Sequence, residues 1–151
     1  MGAALMILSS CSKHFAEKEA RFENACWAAN DTLRLEFESK DTSQVYALAF
    51  PLAVTEDYPF HNIYLRAVVT PPSGDRSILP GEFILADRSG AWLGEPSGDV
   101  VRFVLKVGDG LRFDQVGTYG IMLVHFMREE LLCGVDAVGI LVDRAPVQGG
   151  T

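Results

Sequence analysis

Three stretches of this 151-residue chain alternate apolar and polar side chains with a period of two, and no other feature restricts the fold as strongly. In TLRLEFES, Leu33, Leu35 and Phe37 alternate with Arg34, Glu36 and Glu38. NIYLRAVVT sets Ile63, Leu65, Ala67 and Val69 against Asn62, Tyr64, Arg66 and Thr70, and VVRFVLKV sets Val101, Phe103, Leu105 and Val107 against Arg102 and Lys106. A segment of this kind buries one face and wets the other, which is the pattern of antiparallel sheets. VYALAFPLAV and TYGIMLVHF are apolar on both faces and read as more central strands, with Pro51 expected to end or bulge the first of them. DAVGILVD supplies a last strand. Turn signals such as PPSGD, LPGE, KVGDG and DQVGT join Gly or Pro to Asp or Ser between the strands. The sequence therefore predicts an all-β fold, an antiparallel β-sandwich of about seven or eight strands over residues 31–144. A short helical turn is expected near residues 127–133, where Met127, Leu131 and Val135 recur at i, i+4 and i+8.

The charge balance narrows the partners. With 13 Lys+Arg against 20 Asp+Glu, a net charge of −7 and no basic cluster, the chain would repel a phosphate backbone, so nucleic acid is not an expected ligand. No run of 18 apolar residues exists to span a bilayer.

The chain start offers a covalent route to a membrane instead. GAALMIL stands before Cys11 and runs into Leu8-Ser9-Ser10-Cys11, which has the leucine-small-small-cysteine form of a bacterial lipobox. The first basic residue, Lys13, follows the cysteine, so residues 1–10 read as a truncated signal peptide whose charged region would lie upstream of Met1. Acyl chains on Cys11 would contribute about 0.8 kcal/mol per buried methylene and hold the protein on a bilayer. The polar residues 11–30 then serve as lipidated cysteine and tether, and 145–151 as a flexible tail.

Of the three cysteines, Cys26 and Cys133 remain once Cys11 is set aside. They can pair in an oxidising compartment or stay as two buried thiols, and buried thiols are the expectation. Neither belongs to a CxxC motif, so no zinc site is expected. GxSxG, HExxH, Walker and GxGxxG motifs are all absent, and no nucleophile-base pair can be named. No catalytic residue, cofactor, metal or small-molecule substrate is therefore expected. His14, His61 and His125 are scattered, and His125, in an apolar strand, reads as a packed structural residue. Asp87, Glu95 and Asp99 lie in the loop DRSGAWLGEPSGD, but the spacing fails an EF-hand and solvated turn residues are the better reading.

Two aromatic segments remain. Trp92 sits between glycines in that loop, where it can offer a stacking platform for a sugar or, as expected here, fold down to cap the core. DYPFHN groups Tyr58, Phe60 and His61 around Pro59, as an exposed aromatic patch or as a rigid strand start with a cis Tyr58–Pro59 bond.

Taken together, the motifs resemble the GldH-type gliding-motility lipoproteins of Bacteroidota. Asp57, Tyr58, Pro59, Phe60 and Asn62 match the family's first block. Leu85, Ala86, Asp87, Gly90, Trp92, Leu93 and Gly94 match the second, with Ala91 inserted. Gly117, Thr118, Tyr119, Met127, Arg128, Leu131, Gly134, Asp136, Val138 and Gly139 match the third, in which YGIMLVHF is more apolar than the family pattern. The resemblance covers roughly residues 33–142 and the lipobox. It implies an acylated, non-enzymatic cell-envelope protein whose partners belong to the gliding and adhesin-transport machinery. Asp57, Tyr58, Pro59, Asn62, Trp92, Gly94, Met127, Arg128, Gly134 and Gly139 become candidate interaction residues. Ser12, Lys13 and His14 follow Cys11 where outward-sorted lipoproteins of this phylum often carry acidic residues, so a periplasm-facing anchor is expected. The rival expectation is an envelope glycan- or ligand-binding sandwich that uses Trp92 and Tyr58.

Overall fold

The computed structural model describes residues 14–145, so Cys11, the signal-like residues 1–10 and the C-terminal tail lie outside the described residues. Eleven strands follow in order: β1 (Ala16–Arg21), β2 (Cys26–Ala28), β3 (Leu33–Ser39), β4 (Val45–Thr55), β5 (Asn62–Thr70), β6 (Ser77–Ile84), β7 (Glu95–Ser97), β8 (Val100–Arg112), β9 (Gly117–His125), β10 (Leu131–Cys133) and β11 (Val135–Arg144). They form a five-stranded sheet ordered β1-β11-β4-β8-β7, a four-stranded sheet ordered β3-β9-β5-β6, and a two-stranded ribbon of β10 and β2, with every pairing antiparallel. The β-sandwich expected from the alternation is the fold, and the three shortest strands, β2, β7 and β10, carry the count beyond eight.

The alternating residues lie where their period places them. Leu33, Leu35, Phe37, Ile63, Leu65, Ala67, Phe103 and Leu105 are buried between the sheets, joined by Leu48, Phe50, Leu52 and Val54 of β4 and by Val138, Ile140 and Val142 of β11. At about 25 cal/mol per Å² of apolar surface removed from water, this shared core is the main stabilising term. β4 is the middle strand of its sheet, as its two-sided apolarity requires.

Pro51 does not end β4, which runs on to Thr55; the register irregularities fall between Tyr46 and Ala49 instead. Toward β11 the ladder is interrupted from Phe50 to Pro51, between Ala49↔Leu141 and Leu52↔Val138. Opposite that gap stands Gly139, where a Cβ would lie 2.9 Å from the Lys18 carbonyl oxygen and 3.5 Å from the Pro51 ring. A proline lacking its N–H is thus accommodated mid-sheet beside a residue with no side chain.

Two expectations are corrected by the segments flanking the core. Residues 16–28, read as tether, enter the fold as β1, a 3-10 turn at Glu23–Ala25, and β2. β1 is an edge strand whose Glu17, Lys18 and Glu19 are exposed, while Ala16 and Ala20 alone of its residues pack on the core, so its composition imitates a linker. Residues 127–133 form no helix: an irregular loop leads into β10, which pairs with β2 through Cys133↔Cys26. The helical spacing fails because Leu132, rather than the exposed Leu131, points inward.

Candidate functional site

The strand registers give the sandwich two distinct ends. At one end lie Ala16↔Val142, Tyr46↔Arg144 and Ser39↔Gly117; at the other lie Arg21↔Ala137, Val54↔Val135 and Leu65↔His125. Nearly all the motif residues singled out in the sequence gather at the second end, in the turns after β4, β6 and β9 and around Gly134. The chain enters β1 at the first end, beside His14, whose Nδ1 lies 2.7 Å from Asp143 Oδ1.

At the motif end Tyr58 is buried, 4% exposed, and its hydroxyl donates to the Asn62 carbonyl oxygen at 2.7 Å, closing the corner between β4 and β5. Burial pushes the phenol pKa above its usual range. The Tyr58 ring meets Phe60 edge-on at 5.8 Å and lies 6.4 Å from Trp92. Trp92 is half-buried against the core, so it caps the sandwich as expected. Tyr58 cannot join it as an exposed platform. The Tyr58–Pro59 bond is trans, since no cis peptide occurs among the described residues.

Glycines close this end. Gly134 has φ +94, its N–H donates to the Ala25 carbonyl at 2.7 Å, and its own carbonyl accepts from the Thr55 N–H at 2.8 Å. A Cβ there would fall 2.6 Å from Tyr58 Cα. At Gly94 a Cβ would fall 2.5 Å from the Arg102 carbonyl oxygen and 2.8 Å from the Phe103 ring. The His61 carbonyl accepts from both Leu85 and Ala86, at 2.7 and 3.1 Å, and so ties the first motif block to the second. Asp87 accepts from the Ser89 hydroxyl and from the Ser89 and Ala91 amides, a loop brace that holds its carboxyl below the usual range. Among the described residues no cluster of His, Cys, Asp or Glu could hold a metal ion.

Cys26 and Cys133 form a disulfide, which overturns the expectation of two buried thiols. They are direct cross-strand partners in the β2/β10 ribbon, a juxtaposition that their separation of 107 residues concealed. The bridge fastens the segment around Trp27, which is fully buried, stacks on Phe22 at 5.3 Å and donates through Nε1 to the Asp31 carbonyl at 2.8 Å. His125 is buried edge-on against Trp27 at 5.1 Å, with Nε2 3.1 Å from the Trp27 carbonyl and Nδ1 accepting from the Met127 N–H at 3.3 Å. These partners assign the neutral tautomer protonated on Nε2, and burial lowers its pKa. The packed structural role expected of His125 is the observed one.

Asp57, Pro59 and Arg128 are exposed on the same end, and Met127 rests on the core with its sulfur 3.3 Å from the Tyr64 N–H. Sequence reading missed three neighbours. Phe126 extends the β9/β5 ladder through its N–H to the Tyr64 carbonyl at 2.7 Å, its ring is 56% exposed, and the Arg66 guanidinium lies over it at 4.0 Å. The alternation places Tyr64 and Arg66 only on a wet strand face; the available signal is the bulk of both side chains beside an aromatic at the strand end.

The fold and site define an all-β, disulfide-bridged antiparallel sandwich with its motif loops collected at one end. The chain belongs to the GldH lipoprotein family, whose sequence pattern matches residues 14–142. It is 25% identical to the gliding motility lipoprotein GldH homolog of Christiangramia forsetii, over 93% of this chain and 91% of that one. It is 24% identical to the gliding motility lipoprotein GldH of Flavobacterium johnsoniae, over 93% and 92%. Among solved structures, a carbohydrate-binding module of the CBM28 type aligns with TM-score 0.43 at 12% identity, covering 85% of this chain and 70% of that one. The VP2 subviral particle of infectious bursal disease virus aligns with TM-score 0.25 at 8% identity, covering 95% and 37%.

Proposed function

We propose that this chain is a non-enzymatic envelope lipoprotein, acylated at Cys11 and facing the periplasm, that serves the gliding-motility and adhesin-transport machinery through protein contacts. The family match over residues 14–142 carries this reading, because it begins three residues after a lipobox cysteine. The Cys26–Cys133 bridge supports an oxidising compartment. His14 is bonded to Asp143 and Phe15 packs on Phe37 and Tyr46, so residues 12 and 13 alone are left as the tether, at most about 7 Å of extended chain.

Of the candidate interaction residues, Tyr58, Asn62, Trp92, Gly94, Gly134 and Gly139 build the scaffold, which leaves Asp57, Pro59, Met127 and Arg128 to shape the presented surface. The experiment is deletion of the gene in a gliding host with complementation by wild type or Cys11→Ser. Deletion stops colony spreading, wild type restores it, and Cys11→Ser moves the protein from the membrane to the soluble fraction. Protection from added protease in intact cells marks the periplasmic side. Unchanged spreading after deletion, or membrane retention of Cys11→Ser, refutes the reading.

A further inference from the structure

We infer that the outer face of β5, β6 and β9 is a docking surface for an extended partner segment carrying a carboxylate among apolar side chains. This deepens the function proposed above and rests on it. Register lays the surface out in rows: Phe126, Tyr64 and Glu82; then Val124, Arg66 and Pro80; then Met122, Val68 and Ile78. Ile84 extends it beside Asn62. Phe126 and Ile84 are each 56% exposed, Ile78 62% and Tyr64 39%, which makes this a contiguous apolar face rather than scattered exposure. Its Tyr, Phe, Met and Arg are the residue types that dominate binding energy at interfaces.

Arg66 specifies the occupant. Its guanidinium is stacked on Phe126, and its Nε is buried without a hydrogen-bond partner, while no carboxylate of the described residues pairs with it. The nearest cross-strand carboxylate, Glu82, stands opposite Tyr64 and raises the Tyr64 phenol pKa. The guanidinium is a planar fork fixed over an aromatic ring among apolar flanks, and its terminal nitrogens, which unlike Nε are not buried, match a carboxylate delivered bidentately.

Geometry sets the form of that partner. Ile78 to Ile84 spans about 20 Å along the strand and the three strands about 10 Å across, room for an extended segment of about six residues. The segment lies on the face and does not extend the sheet, because Pro80 takes a donor from the free edge of β6. The patch also reaches toward the end opposite the entry of β1, so an anchor at Cys11 leaves it open to envelope partners.

The test uses the full chain, 15N-labelled, titrated with acetylated octapeptides that carry one central Glu between Val, Leu or Phe residues. Saturable shifts are expected at Tyr64, Arg66, Val68 and Phe126, with affinity falling about tenfold for Arg66→Gln and for Glu→Gln peptides, and unchanged for Arg102→Gln on the other sheet. Absence of saturable shifts across the set, shifts confined to the β4/β11 outer face, or equal binding by Arg66→Gln each overturns the docking surface. The fold of each variant is checked by its amide spectrum. In cells, spreading lost on deletion but normal in both Arg66→Gln and Phe126→Ala overturns the surface and leaves the proposed function standing. Spreading unaffected by deletion overturns the function whatever the peptides do.

Discussion

Replacing Gly134 by alanine tests the packing of the motif end at its tightest point. The backbone there has φ +94, so any L side chain incurs about 1–3 kcal/mol of dihedral strain. The new Cβ would also stand 2.6 Å from Tyr58 Cα and 2.9 Å from Tyr58 N and Cβ, roughly 1 Å inside normal carbon contact. Relief by moving the chain is opposed on both sides, since the Gly134 N–H and carbonyl hold Ala25 and Thr55. Overpacking of this kind adds about 1–3 kcal/mol, for a total near 4 kcal/mol. For a chain of this size that lowers Tm by roughly 12–16 °C. Gly74 is the control: its φ is +88 but nothing lies within 4 Å of a built Cβ, so Gly74→Ala carries the dihedral cost alone. Urea titration of both variants with the disulfide intact should separate them by about 2–3 kcal/mol. Equal destabilisation would refute the close approach of Gly134 to Tyr58.

Reduction, or the double variant Cys26→Ala/Cys133→Ala, releases a loop spanning 107 residues and should lower unfolding free energy by about 2–5 kcal/mol; coincident urea curves with and without reductant would contradict this. His125 is held neutral by burial below its ordinary value of 6.5. The unfolded chain therefore binds a proton that the folded chain refuses, and stability falls as pH drops through and below about 6.5. His125→Asn should flatten that slope below about pH 6.5, while the loss tied to the lowered carboxyls of Asp41 and Asp87 stays below their ordinary value of 3.8. Ala25 has φ +52 in the turn before β2, so Ala25→Gly should raise stability by up to about 1 kcal/mol in the same urea assay.

The alternation of TLRLEFES, NIYLRAVVT and VVRFVLKV was enough to orient three strands and assign their buried faces, because period two in a half-exposed strand is a direct projection of burial. Three things escaped it, each because the deciding partner is distant in sequence. β1 looks polar since it is an edge strand supported by β11. Pro51 looks like a terminator until Gly139 is placed opposite it. The bond between Cys26 and Cys133 depends on β2 and β10 meeting beside Trp27, and neither three-residue strand is long enough to show a period. At the candidate site the motif blocks gather at one end of the molecule but mix two kinds of residue. Tyr58, Gly94 and Gly134 are there because the corner closes only around them, whereas Asp57, Pro59 and Arg128 face solvent, as does Phe126 outside the matched positions.

That division follows from where the chain enters. β1 begins beside Val142 and ends beside Ala137, so the first strand carries the chain along six residues of β11, about 17 Å, from the end where it enters toward the motif end. With the proposed acyl anchor at Cys11 and only residues 12 and 13 between it and the bound His14, the end bearing Tyr46, Phe113 and Arg144 would be held against the bilayer and could not present a broad surface to another protein. Partner contacts then fall to the far end and the faces beside it, where loops are long enough to vary in shape but need a rigid base. The Tyr58 corner, the glycine contacts and the disulfide supply that base, and a protein that works by presenting a surface at a fixed distance from a membrane requires both.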